Sequence, residues 1–441
     1  MNRKDRRKVV SDLIKRGKFK RNGMENLFLY NPDSGIYEMI STSVANIKIR
    51  QAVNELIEKN EIDEEDFDHT DVNYIIKELS QGVENYVSQL DNFTPTDYIV
   101  TKKCRVNLQT GMTEAFNPNA YDTVALDFTY NELSEINEKS ETAKFLKSSL
   151  GIEKVNLSNK RMMAFCQIIG YLLSNLPLLK KLIIFLGSPN CGKSLLLKFL
   201  VKVLGTNHCR ALSLSDLTDR YRSGLLENAR LITCHEIKFG QLKNLDKIKA
   251  LVGGDPITVE SKFVQAWTHT PTAKIAMAAN ALPTLGEIDA EGAFADRLLI
   301  LPFQKHGKDN DPELLEKLYQ ERDTFLTVVF KSMKHFIKNG MKFNDLPECQ
   351  NLIEEYKTHG NNVQGFVEDN VIKTTNPEDK ISLLELYEHY TRYCKNNLMF
   401  SCTGKEFRSQ LIQLGWEIKK TRVGKKNNPV SAVIGLKFKP V

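Results

Sequence analysis

The chain has 441 residues and a formal net charge of +6, from 61 Lys plus Arg against 55 Asp plus Glu. At about 150 residues per domain that length makes roughly three domains, each able to bury a core without disulfide or metal staples. No apolar run reaches the ~18 residues of a membrane helix, MNRKDRRKVV lacks the apolar segment of a secretory signal, and the eight cysteines include no C-x-x-C pair. Together these predict a cytoplasmic protein with reduced, structural thiols.

The charge is unevenly placed. Residues 1–21 carry ten basic and two acidic side chains, residues 403–441 nine and two, and residues 22–402 are left at −9. Two basic ends around an acidic middle point to a polyanionic partner, nucleic acid ahead of a membrane surface. Solvated termini with no partner are the alternative. In chain order, the basic lead is a phosphate-gripping arm or a disordered tail. NLFLYNPDSGIYEMI (26–40) predicts two short strands around an Asn-Pro-Asp-Ser-Gly turn. Residues 45–60 and 71–90 have helical apolar spacing, separated by an acidic loop. Strands are expected at 98–106 and 124–130, and a helix over 159–175. His208 and Cys209 lack further ligands at metal spacing and read as a surface loop. From residue 182 to about 303, short apolar strands alternate with helical stretches, the pattern of an α/β domain with a mostly parallel sheet. Residues 312–358 are helical in pattern, TTNPEDK around Pro377 reads as a linker, and a basic module follows.

The most informative segment is KLIIFLGSPNCGKSLLLKFL (181–200). An apolar strand runs into Gly187, Ser188, Pro189, Asn190, Cys191, Gly192, Lys193 and Ser194, and an apolar helix follows. This is a G-x-x-x-x-G-K-[ST] loop in strand–loop–helix context, which predicts binding of ATP with Mg²⁺. The glycines let backbone N–H groups converge on phosphate oxygens at a helix N-terminus. Lys193 would reach the β- and γ-phosphates, and the Ser194 hydroxyl would ligate Mg²⁺. Such a site also needs a carboxylate on a neighbouring strand. ARLITCHEIKF (229–239) supplies one at the end of an apolar strand, Glu236, to polarise the attacking water and help hold the metal. His235 stands where many such enzymes carry an Asp and receives no role. KIAMAANALP (274–283) is a strand ending in Asn280, a sensor of the γ-phosphate or lytic water, or simply a turn asparagine. Arg297 opens the next strand, as an arginine finger toward a neighbouring subunit or as a surface ion-pair residue.

In this order the elements resemble the superfamily 3 helicases, AAA+ ring motors of small viruses, phages and plasmids. The similarity is to the helicase half of the phage and plasmid primase-helicase family, which includes the poxvirus helicase-primase. GSPNCGKS matches that family's P-loop, with Asn190 two residues before the Gly-Lys pair. IKALVGGDPITVESKF (248–263) looks like its third motif and places Lys262 and Phe263 where a DNA-contacting hairpin begins. Asn280 falls on the sensor strand and Arg297 on the finger. VNLQTGMTEAFNPNAYDTVALDFTYN (106–131) resembles the module preceding the motor. LLELYEHYTRYCKNN (383–397) with FRSQLIQLGWEIKKTR (407–422) resembles a C-terminal winged helix. The resemblance implies a hexamer moving 3′-to-5′ on single-stranded DNA. Residues 1–100 show neither paired carboxylates on a strand nor a zinc cluster, so helicase without primase activity is expected.

The residues of the C-terminal module carry the same reading without the resemblance. Thr403 caps a helix over 404–414 with Phe407, Leu411 and Leu414 on one face, and strands over 416–422 and 431–438 form a wing bearing Lys419, Lys420, Arg422, Lys425 and Lys426. Such a unit grips DNA phosphates, or presents a basic surface to protein or to nothing. The expected organisation is an N-terminal α/β module (1–146), a P-loop AAA+ core (147–306), a helical segment (307–376) and the winged helix (377–441). The expected function is an ATP-driven DNA helicase or replication initiator of a mobile element, a homo-oligomer acting on single-stranded and origin duplex DNA with other replication proteins, and with no membrane partner. Two alternatives stay open: a nucleotide-switched initiator that melts or marks an origin and recruits a host helicase, and an NTPase scaffold that binds only proteins.

Overall fold

The computed structural model describes the chain apart from residues 16–18, 64, 66, 91–93, 214–215, 218, 220–225, 227–228, 236–240, 243, 262–263, 281, 283, 286–292, 305–310, 360–361, 397–400, 424–428 and 440–441. The described part of the basic lead is not a disordered tail. Residues Arg3–Lys15 form helix α1, opened by the Asn2 side chain accepting from the Lys4 and Asp5 amides and anchored by Val9 and Leu13, one turn apart and fully buried. Arg6 and the Met1 ammonium both reach the buried Asp71 carboxylate, at 2.6 and 2.9 Å. Strands β1 (Phe19–Arg21), β2 (Leu27–Asn31) and β3 (Ile36–Met39) make an antiparallel sheet whose β2–β3 turn passes through Gly35 at φ 71°. Helices α2 (Thr42–Glu58) and α3 (His69–Gln81) close this core. The helical spacing over 82–90 does not persist, because Gly82 ends α3.

Strands β4 (Tyr98–Val100), β5 (Arg105–Asn107) and β6 (Thr113–Glu114) form a second small sheet. Residues 124–130, expected as a strand, show a strict in–out burial alternation, yet only Ala125 bridges, to Val100. The reason lies in what flanks the segment. Its backbone is shared between β4 and helices later in the chain: Leu126 donates to Val100, Asp127 to the Val203 carbonyl, and Thr129 to the Asp323 carboxylate. Helices α4 (Glu141–Leu150) and α5 (Lys160–Leu173) follow.

The centre of the molecule is a five-stranded, all-parallel sheet. Its strands are β7 (Leu182–Leu186), β8 (Cys209–Ala211), β9 (Leu231–Cys234), β13 (Lys274–Ala279) and β15 (Leu298–Pro302), in the order β15-β7-β13-β9-β8. Cys209 therefore opens a strand and is buried, rather than lying in a surface loop with His208. Both sheet faces are covered, which is why these strands read as unbroken apolar runs. Ile183 and Phe185 face a core built with α4, α5 and α6 (Lys193–Leu204), while Leu182 and Ile184 face α7 (Leu245–Gly253). Around the sheet lie two short pieces, β10 (Gln241–Leu242) paired with β14 (Thr284–Leu285), and an antiparallel hairpin, β11 (Ile257–Ser261) with β12 (Val264–His269).

Helices α8 (Leu314–Gln320), α9 (Arg322–Lys338) and α10 (Pro347–His359) fill the predicted helical stretch, with α9 lying along α5. The C-terminal module comprises α11 (Asn362–Asn370), β16 (Val371–Lys373), β17 (Lys380–Ser382), α12 (Leu383–Asn396), α13 (Gly404–Gln413), β18 (Ile418–Thr421), β19 (Val430–Ile434) and β20 (Leu436–Phe438). Its core includes Val363 and Phe366, and β16 pairs with β20. The TTNPEDK turn thus lies inside this module, between two of its strands. Thr403 makes a full capping box with Glu406 at the start of α13. All eight cysteines are free thiols, and among the described residues no helix is long and apolar enough to cross a membrane.

Candidate functional site

The P-loop sits at the carboxyl end of β7, an interior strand next to the central β13, at the end of the sheet where open parallel sheets collect their ligands. Its conformation is imposed by packing as well as by flexibility. Asn190 and Gly192 have φ of 62° and 92°. A Cβ on Gly192 would lie 2.6 Å from the Phe145 ring and 3.0 Å from Ser149 Oγ, and one on Gly187 only 2.5 Å from the Phe303 carbonyl oxygen. Helix α4 thus braces the loop from behind: Ser149 Oγ donates to the Cys191 carbonyl at 3.2 Å, and Gln304 N–H to the Ser149 carbonyl at 2.8 Å. Sequence reasoning missed this support. Its only sequence signal is the spacing of Phe145, Ser149 and Leu150, a buried helical face with a small hydroxyl where the loop must approach.

Lys193 opens α6 and is 95% buried, its Nζ donating to the Gly187 and Ser188 carbonyls at 2.7 and 2.8 Å and contacting Cys191 Sγ at 3.2 Å. The ammonium is thereby folded back onto the loop's own acceptors. Gly192 provides no side-chain cap, so the first amides of α6 are left for an outside acceptor. Ser188, Pro189, Asn190 and Ser194 are exposed around this opening. The donor set of unclaimed helix amides, one buried ammonium and one exposed hydroxyl fits a triphosphate with its metal.

Asn280 is brought to the same edge. It follows β13, whose Ala279 carbonyl accepts from Gly187 N–H at 3.0 Å, and it is exposed. His235 ends β9 at this edge too, with Nε2 3.3 Å from Thr233 Oγ1; burial and the charge of Lys198 hold its pKa below the usual imidazole value. Glu236, Lys262, Phe263, Lys425 and Lys426 lie outside the described residues. Arg297 is not brought to the P-loop of its own chain. It precedes β15, at the opposite end of the sheet, a strand length of about 17 Å away. There its guanidinium donates to the Ala293 carbonyl at 2.6 Å, and its Nε has no acceptor among the described residues. Lys419, Lys420 and Arg422 are exposed on and just after β18, with Lys419 paired to Glu417 at 2.7 Å.

Residues 185–297, from the P-loop strand to Arg297, match a family of unknown function (DUF5906). The chain is 24% identical over 308 residues to the "Putative helicase L207/L206" of Acanthamoeba polyphaga mimivirus. That alignment takes in 64% of this chain and 31% of the viral protein, so the chain spans about a third of that relative's length. Among solved structures, two apo forms of the NrS-1 C-terminal region align with TM-scores of 0.46 and 0.47, at 13% and 12% identity. They cover 97% and 98% of this chain, and 98% and 100% of theirs.

One buried cation lies away from the P-loop. Lys274 begins β13 with Nζ 4.2 Å from the Tyr171 ring centre, donating to the Tyr171 and Ser174 carbonyls and to Ser174 Oγ. Burial, followed by the charge of Arg230, pushes its pKa well down. It ties the first residue of the central strand to the end of α5, a structural role.

Proposed function

We propose that the chain is an ATP-dependent DNA helicase or replication initiator, with an AAA+ motor at its centre and a winged helix at its C-terminus. The observation that carries this is the loop of residues 187–194, with the Lys193 ammonium bound by loop carbonyls and sulfur beneath helix amides that have no side-chain cap from Gly192. The distant viral relative named as a helicase supports the choice among P-loop enzymes. So does the strand order, which sets β7 between the strand that ends at Asn280 and the strand that Arg297 opens.

Bound ATP–Mg²⁺ would supply the phosphoryl electrophile. Residues 187–194 would hold its phosphates, and Ser194 with Glu236 would hold the metal. Glu236 would take the proton of the attacking water and Asn280 would orient that water. Arg297 lies a strand length from its own P-loop, so as a finger it must serve a neighbouring subunit; this favours a closed homo-oligomer, a hexamer by the family pattern. The hairpin of β11 and β12, with Lys262 and Phe263 between its strands in sequence, would grip single-stranded DNA. In the C-terminal module, a helix, two short strands, two helices and three strands follow one another; β18 and β19 pair as the wing, and Lys419, Lys420 and Arg422 would meet duplex phosphates.

The test is ATP hydrolysis with and without single-stranded DNA, Lys193→Ala serving as control, followed by unwinding of a forked duplex. Hydrolysis stimulated by DNA with fork unwinding is expected. Hydrolysis without unwinding identifies an initiator that melts or marks DNA, and no hydrolysis at all overturns the motor.

A further inference from the structure

A concavity also lies away from the P-loop. A cleft of about 1120 Å³ lies where the N-terminal module, the β4–β6 sheet and the motor meet. On the motor side its wall is made at the amino ends of the parallel strands: His208 and Arg210 flank the start of β8, and Arg230 precedes β9. The cleft is therefore at the opposite end of the sheet from the phosphate-binding loop. The facing wall carries Tyr98 and Tyr121, both half-buried. Tyr121 rests on the buried Tyr37 ring at 5.5 Å between centres, and Tyr98 on the Arg105 guanidinium at 4.3 Å. Both rings are thus backed on one side.

The lining holds three guanidiniums, Arg105, Arg210 and Arg230, and two carboxylates, Glu38 and Asp122. Of the carboxylates in the lining, Asp122 accepts from Arg105 at 2.7 Å, and Glu38 accepts from Asn31 and Ser34. Arg210 is held by two backbone carbonyls, of Asn207 and Cys209, both at 2.9 Å, and pairs with no carboxylate among the described residues. Arg230 reaches the Asn175 side-chain oxygen at 2.8 Å and also feels the Asp122 carboxylate. The field is felt by His208, whose pKa is brought down to about 4 by burial and then by Arg230 and Arg210. Fixed cations on one wall and backed aromatic rings on the other are the two components of single-strand recognition, one for phosphates and one for base faces.

We infer that this cleft binds a short run of single-stranded nucleic acid, with phosphates against Arg210 and Arg230 and bases on Tyr98 and Tyr121. Its volume exceeds the ~300–1,000 Å³ of an ordinary small-molecule pocket, which favours several linked nucleotides over one free nucleotide. The site is separate from the ATP-driven reading and requires neither nucleotide nor Lys193.

The experiment is fluorescence anisotropy of the full chain with labelled DNA and RNA oligonucleotides of increasing length, without ATP, on a Lys193→Ala background. Added Arg210→Glu and Tyr121→Ala changes should each weaken binding about tenfold or more, within the range of stacking losses. Arg210→Glu should also reduce the slope of log affinity against log salt by about 0.7, one single-strand phosphate contact. The DNA and RNA arms say which strand is taken. Because Tyr121 packs on Tyr37, photo-crosslinking of halogenated oligonucleotides to the unsubstituted chain provides an independent readout. Adducts in peptides covering 94–123 or 206–230 support the site. Adducts confined to the C-terminal module, or affinities unmoved by both substitutions, overturn it. So does Arg210-sensitive binding of free mononucleotide with no gain from linked ones.

Discussion

Replacing Gly192 by alanine tests how the phosphate-binding loop is held. The backbone there has φ 92°, and the new methyl would stand 2.6 Å from Phe145 Cε2, 3.2 Å from Phe145 Cζ and 3.0 Å from Ser149 Oγ. Left-handed backbone costs an L-residue about 1–2 kcal/mol. Overpacking against a ring that is 4% exposed adds about 1–3 kcal/mol. Gly192→Ala should therefore lose roughly 2–5 kcal/mol, or relieve the strain by moving the loop off Lys193 and α6. The two components separate in a double-mutant cycle with Phe145→Val. That change removes the obstructing ring but leaves the backbone cost, so the pair should couple favourably by about 1–3 kcal/mol. Gly187→Ala is the contrasting case: its methyl would meet the Phe303 carbonyl oxygen, and the Phe303 N–H is bound to Leu186 at 2.6 Å. No side-chain truncation can relieve that clash. The assay is denaturant unfolding together with affinity for a fluorescent ATP analogue. If Gly192→Ala changes neither stability nor nucleotide affinity, or if Phe145→Val rescues both glycine variants equally, α4 does not brace the loop as described.

Three further outcomes are expected. Arg297→Ala should abolish hydrolysis alone, yet mixing it with equally inactive Lys193→Ala chains should restore part of it, because mixed interfaces pair an intact arginine with an intact lysine; rate against mixing ratio measures this, and a flat zero would remove Arg297 from the site. His208 should make the fold acid-sensitive: its folded pKa of about 4 lies below the usual 6.5, so its contribution is complete above 6.5 and is lost as the pH falls toward 4. The loss is at most about 3 kcal/mol, and unfolding measured at pH 7 and pH 4.5 should show a smaller decline for His208→Gln than for the unsubstituted chain. Thr403→Ala should cost the C-terminal module about 1 kcal/mol, read as faster amide exchange in α13, since Thr403 Oγ1 caps the Glu406 amide and Glu406 reaches back at 3.1 Å.

Much of the α/β core was legible because its instructions are local. An apolar strand, a loop with glycines at its ends and an apolar helix specify their own geometry over twenty residues, and the capping box at Thr403 needs only four. The segment 124–130 shows where local pattern runs out. Its side chains do alternate between buried and partly exposed, but a strand also needs a partner ladder, and here the hydrogen-bonding neighbours are a strand on one side and helices on the other. The basic lead was misread for the converse reason: charge dominates its composition, while Val9 and Leu13 decide its structure once α2 and α3 offer them a core.

The sequence by itself determined a glycine-bounded loop between an apolar strand and an apolar helix of an α/β core, and a capped helix followed by strands at the basic C-terminal end, because each is written in contiguous spacing and residue chemistry. The tertiary structure alone decided three things. Arg297 lies at the far end of the sheet from its own P-loop, helix α4 holds Gly192 in place, and His208, Arg210, Arg230, Tyr98 and Tyr121 share one cleft. These residues come from segments up to 132 positions apart. No periodicity relates them; parallel strand order and the docking of three modules bring them together.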